Sequence, residues 1–148
     1  MLTPLENQKQ LVDKIRKAEE SWDLDAIVSL RTPDATQELL PKTLGWPVLD
    51  NVGFKERMGG LAPIFQGCYK IKDLSTVHDA DAHKATAHWM QTASTNTPGG
   101  GFALESVWMW TFTGDGTQVV SAKEFVDSAY LSQWLEKLQG DVGKEEKS

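Results

Sequence analysis

Five side chains have the type and setting for proton transfer or charge stabilisation: Asp127, Glu105, Arg31, His88 and His78. Asp127 follows the apolar pair Phe125-Val126, where a strand gives way to a helix. A carboxylate beside an apolar wall has its pKa raised toward the range useful to a base or acid. It can then take a proton from carbon next to a carbonyl, or from a hydroxyl. Asp127-Ser128 is equally suited to cap the helix that follows. Glu105 lies mid-strand among apolar neighbours, a costly place for a carboxylate if it is buried without a partner. Two carboxyls sharing one pocket would supply an acid and a base together. Arg31 offers a guanidinium fork for a substrate carboxylate or an enolate, or a structural partner for Asp34. His78 and His88 fall on adjacent strands and suit proton relay near neutrality, or simple packing. His83 lies in a polar turn, in water.

Phe65, Trp89, Trp108 and Phe125 are the candidate apolar wall for a substrate. Phe125 has the parity of Asp127 and shares its face. Which face Glu105 and Trp108 take depends on the hairpin around Gly114-Asp115-Gly116. A three-residue loop puts Ala103 opposite Asp127, and Glu105 then shares its face while Trp108 turns outward. A two-residue loop puts Leu104 there, and Trp108 then shares the face of Asp127 while Glu105 joins Glu124. A single slip exchanges the two faces.

The elements that position these groups are legible as patterns. Thr3-Pro4 opens a first helix carrying Leu11, Val12, Ile15, Ala18 and Trp22. Asp23 caps a short second helix that ends near Arg31-Thr32-Pro33-Asp34. Residues 35–52 read as a long connection broken by Pro41, Gly45 and Pro47, of the kind that forms a lid or a wall. Phe54, Met58, Leu61 and Phe65 predict a third helix, weakened at Gly59-Gly60 and ended by Gly67. Strands are predicted over Tyr69–Asp79, Lys84–Ser94, Phe102–Thr113 and Gln118–Val126, with Thr97-Pro98-Gly99-Gly100-Gly101 as a loop. Tyr130, Leu131, Trp134, Leu135 and Leu138 mark a final helix, and the tail 140–148 reads as flexible. Helices followed by a run of strands predict an α+β domain with an antiparallel meander bent around a pocket.

Composition narrows the function. The 148 residues fit one domain and are 40% hydrophobic and 24% charged. Six tryptophans suit a core, an interface or walls that meet flat apolar ligands. A net charge of −6 without a basic block argues against nucleic acid. Cys68 stands alone, which excludes an internal disulfide or a thiolate cluster. No HExxH or CxxC spacing suggests a metal, no GxSxG a nucleophile elbow, and no apolar run approaches a membrane span. The expected setting is cytoplasmic.

Arg31-Thr32-Pro33-Asp34, Leu40-Pro41 with Leu44-Gly45, Glu105 before Val107-Trp108, and Glu124-Phe125-Val126-Asp127-Ser128 carry a resemblance over about residues 5–138. The chain resembles the NTF2-like fold in its SnoaL-like polyketide cyclase branch, and among these the small fungal proteins of meroterpenoid pathways. The resemblance implies a cone-shaped, cofactor-free and metal-free domain, often a homodimer through its sheet. It implies acid–base chemistry on hydrophobic polycyclic, lactone-bearing substrates, with Asp127 and Glu105 in the functional pattern.

The leading expectation is therefore an isomerase or cyclase of fungal secondary metabolism. A non-catalytic binding module on the same fold would show a filled pocket. A hydrolase would need a polar trio holding one water. Fold alone decides none of these. The enzyme reading requires an apolar hollow beside at least one carboxyl, and Asp127 and Glu105 both facing solvent with no void beside them would remove its basis.

Overall fold

The computed structural model describes residues 1–97 and 100–146, with side chains through Gly140. Helix α1 (Pro4–Ser21) starts where Thr3 and Glu6 cap each other reciprocally, each side chain accepting the other's backbone N–H. Its buried stripe is Leu11, Val12, Ile15 and Ala18. Trp22 ends the helix in a left-handed conformation, φ 52°. Its indole stacks on Phe65 at 4.8 Å. Asp23 caps α2 (Leu24–Ser29) by accepting from the Ala26 N–H.

The chain then departs from the expected long connection. Residues Arg31–Leu40 form a strand, β1. Its partner is distant in sequence: β1 runs parallel to β5 (Val119–Val126), with Gln37 opposite Ala122 and Leu39 opposite Glu124. The pairing is irregular between Arg31 and Thr36, and Pro33, which has no N–H to give a ladder, sits in that gap. The sheet is therefore mixed, ordered β1-β5-β4-β3-β2, not a pure antiparallel meander. The other strands are β2 (Tyr69–Asp79), β3 (Lys84–Ala93) and β4 (Phe102–Phe112), within a residue of expectation.

The third helix is two pieces, α3 (Asn51–Gly59) and α4 (Ala62–Phe65), parted at the glycine pair as the weakened stripe suggested. After β1 a 3-10 turn at Lys42–Leu44 leads the chain back, and Leu49 exchanges two backbone hydrogen bonds with Gln37 at 2.8 Å. Helix α5 (Ser128–Glu146) continues past Gly140, and residues 147–148 of the expected tail lie outside the described residues, as do Pro98 and Gly99 of the expected loop. No helix among the described residues is long and apolar enough to cross a membrane.

The β4–β5 hairpin adopts neither expected register. Thr113 pairs with Gln118 around the four-residue loop 114–117, and Phe112 stands opposite Val119. Near the loop this matches the two-residue option. A bulge then skips Val120, so Thr111 faces Ser121 and Ser106 faces Val126. The loop tip is pinned to α1, where Asn7 donates to the Asp115 carbonyl at 2.9 Å. Gly116 is obligatory there, with φ +79° and only 2.6 Å between any added Cβ and the Pro4 carbonyl.

One sheet face packs against the helices and buries Trp89, Trp108, Trp110, Phe102, Leu104 and Val126. Trp89, Trp108 and Trp110 lie with ring centroids 5.2–5.9 Å apart. The other face carries Lys70, Lys72, Glu105, Lys123 and Phe125, all exposed.

Candidate active site

The concave face of the sheet and helices α1 to α5 enclose a cavity of about 90 Å³. Its wall is aromatic and aliphatic. Trp22, Phe65, Phe102, Trp108 and Trp134 come from the core, and Trp46, Pro47 and Leu49 from the segment after β1. Arg57 holds Trp46 in place, its guanidinium 4.3 Å from the ring centroid. Five polar side chains interrupt this wall: Glu19, Gln37, Tyr69, Gln91 and Glu124.

Three of the five form one directed network. Tyr69 donates its hydroxyl to Gln91 Oε1. That fixes the amide so that Nε2 faces Ser106 Oγ and Glu124 Oε2, each at 2.6 Å. Ser106 donates to the same Oε2 at 2.9 Å. Both donors therefore spend themselves on one oxygen of Glu124, and Oε1 takes neither. A proton held by this carboxyl belongs on Oε1, and a proton arriving from a substrate would land there too. Burial pushes the Glu124 carboxyl up, and the hydrogen bonds from Gln91 and Ser106 pull it partly back. Burial also pushes the Tyr69 hydroxyl well up, with the charges of Glu124 and Glu19 adding to the effect, which keeps it a donor.

The second carboxyl is Glu19, on the last turn of α1. Burial raises its pKa to about 7, Arg31 opposes this, and the charge of Glu124 adds to it. Its Oε1 is buried without a hydrogen-bond partner. Arg31 is itself buried, with its guanidinium 4.4 Å over the Phe54 ring and Nη2 donating to Gln37.

The structure distributes the residues expected from sequence as follows. Glu105 and Asp127 do share a face, and the Asp127 N–H reaches the Glu105 carbonyl at 3.0 Å, but that face is the outer one. Both side chains are exposed and lie outside the cavity wall, so an enzyme reading does not stand on this pair and needs a different carboxyl beside the hollow. Asp127 accepts the Tyr130 N–H at 3.2 Å as the cap of α5. Glu105 pairs across strands with His88 at 2.6 Å, both side chains about half exposed. Phe125 is 48% exposed on the same face. His78 lies against the buried Gln8 at 3.2 Å, with its pKa lowered by burial and by Lys9. Arg31 is on a strand, not at a helix end, and bonds Gln37, not Asp34. Phe65 and Trp108 line the cavity, whereas Trp89 is packed behind it against Trp108 and Trp110.

The two carboxyls that face inward, Glu124 and Glu19, were not singled out from sequence. A signal for Glu124 existed. Val120, Ala122, Glu124 and Val126 alternate with Ser121, Lys123 and Phe125, and the first set is the more apolar. Glu19 gave none, because it sits beside Glu20 at the edge of a charged helix face.

A protein named Monooxygenase dmxR10, from Cryptosporiopsis sp. (strain 8999), is 30% identical over 138 residues, covering 92% of this chain and 90% of that protein. This chain belongs to the fungal protein family that includes dmxR10, and its fold is NTF2-like. No family model matches it. Among solved structures, BvnE pinacolase from Penicillium brevicompactum has the same fold, with a TM-score of 0.87, 20% identity, and coverage of 95% of this chain and 99% of that one. PrhC from Penicillium brasilianum NBRC 6234 gives 0.85, with 21% identity and coverage of 94% and 92%. Strand β5 and helix α1 bring the two carboxyls to the cavity.

Proposed function

We propose that the chain is a cofactor-independent isomerase or cyclase that acts by proton transfer on a hydrophobic polycyclic, lactone-bearing intermediate of fungal secondary metabolism. The observation that carries this reading is the Glu124 carboxyl. It sits in an aromatic hollow, has one oxygen tied to Gln91 and Ser106, and keeps the other free toward whatever occupies the hollow. A desolvated carboxylate of raised basicity is suited to remove a proton from carbon next to a carbonyl. The donors on Oε2 hold the attacking oxygen in place, so little reorganisation accompanies the transfer.

Relatives named monooxygenase supply a second reading, in which the same base would ionise a phenol or enol that then reacts with O2. The test is incubation of purified protein, without added cofactor, with polycyclic meroterpenoid and polyketide intermediates. An isomer of unchanged mass, lost in Glu124→Gln, is the expected result. An O2-dependent product that has gained one oxygen atom and lost two hydrogens, the second oxygen atom leaving as water, favours the second reading. Full turnover by a folded Glu124→Gln variant removes Glu124 from the mechanism.

A further inference from the structure

We infer that Glu19 is a second catalytic residue of this cavity, a general acid that protonates a substrate carbonyl oxygen while Glu124 takes the proton from the neighbouring carbon, and that the substrate is a neutral ketone, ester or lactone. This rests on the acid–base reading of Glu124.

The argument begins with a carboxyl that has no structural occupation. Glu19 lines the cavity, and its Oε1 is buried with no hydrogen-bond partner among the described residues. Arg31, the cation whose field it feels, directs Nη2 to Gln37 and leaves Nη1 unbonded. A buried polar atom without a partner costs stability, and native structures keep such atoms where they serve a purpose. The charged and titratable groups around Glu19 are Arg31 from β1, Tyr69 from β2 and Glu124 from β5.

The surroundings divide the labour between the two carboxyls. Glu124 receives two donors, which favour its ionised form. Glu19 receives none and stays protonated to about pH 7. Two carboxyls whose environments differ in this way form an acid and a base in one site. The step balances without any other reactant. The C–H bond breaks and its proton goes to Glu124 Oε1. Its electron pair becomes the C=C bond, and the carbonyl oxygen takes the proton of Glu19, giving an enol. Where the substrate is β,γ-unsaturated the enol is a dienol, and returning the Glu124 proton at its γ-carbon while the enol proton goes back to Glu19 completes an isomerisation.

The same wall defines the substrate's charge. Among the described residues no Lys or Arg lines the cavity. A carboxylate substrate would meet two carboxyls in a medium of low dielectric, while the nearby Arg31 guanidinium lies outside the wall with Nη2 committed to Gln37.

The test uses the whole protein and 2-tetralone, a flat neutral ketone with acidic α-hydrogens, as the probe. Deuterium uptake at its α-carbon in D2O is followed by NMR, alongside a 13C-carboxyl titration of glutamate-labelled protein. Wild type is expected to exchange the probe, Glu124→Gln to lose at least 100-fold, and Glu19→Gln 10- to 100-fold. The wild-type rate should fall as pH rises through about 7, and Glu19→Gln should lack that limb while Glu19→Asp retains part of it. A Glu19→Gln variant with wild-type rate and pH profile beside a dead Glu124→Gln overturns the role of Glu19 alone. So does a Glu19 carboxyl titrating in the ordinary range. No exchange by wild type counts against the acid–base cavity itself, and this inference falls with it.

Discussion

Trp108 stands directly across from Glu124 in the β4–β5 ladder, so the indole and the carboxyl share the inner face of the sheet. The indole is 2% exposed and walls the cavity beside the carboxyl. Trp108→Ala opens that wall to water. The expected outcome is a Glu124 pKa that moves down toward the usual carboxylate range, with a loss of about 3–5 kcal/mol in stability. Carboxyl NMR and urea denaturation read the two effects separately. An unchanged carboxyl titration in the folded variant would show that the indole does not control its hydration.

Gln91 relays between Tyr69 and Glu124, so its removal leaves partners stranded on both sides. Gln91→Leu is expected to raise the Glu124 pKa further, by withdrawing a donor from Oε2, and to cost about 2–4 kcal/mol. Adding Tyr69→Phe removes one stranded group, so the double variant should lose less than the sum of the singles. Additive losses in a double-mutant cycle would break the network into independent bonds.

Glu19 makes stability depend on pH in a defined direction. Its carboxyl binds a proton more tightly folded, at about 7, than at the ordinary 4.5. Between these values the native state holds more protons than the unfolded chain, so stability falls as pH rises. Glu124, also raised, adds in the same direction. Isosteric Glu19→Gln should flatten the slope and gain about 2–3 kcal/mol above pH 7. Melting temperatures from pH 4 to 8 check this, and parallel curves for the two proteins would refute it.

Asp127 is the cap of α5, where its carboxylate accepts the Tyr130 N–H. Asp127→Ala is expected to cost about 1 kcal/mol, measured by denaturant midpoint, and Asp127→Asn much less. Proton transfer in the cavity should follow the folded fraction. A selective loss of turnover in a fully folded Asp127→Asn would return this residue to the chemistry.

Much of the architecture was legible because it is written locally. The Thr3–Glu6 cap, the Leu11–Ile15–Ala18 stripe and the four β-rich runs each declare themselves within a few residues of chain. Strand β1 did not, because Thr32-Pro33-Asp34 reads as a break. Its one strand partner among the described residues is β5, most of the chain away. The inward carboxyl of β5 was hidden by one residue. Skipping Val120 sets which residues face each other across the hairpin, and that decides that Ser106 and Trp108, rather than Glu105, share the face of Glu124.

The sequence by itself determined the helices, four of the five strands, an apolar interior rich in tryptophan and the likeness to NTF2-like proteins. Tertiary structure alone decided which acids touch that interior. Side chains alternate with a period of two, so a single bulge exchanges the faces of a strand, and the pairing that places a bulge is a long-range property of the whole sheet.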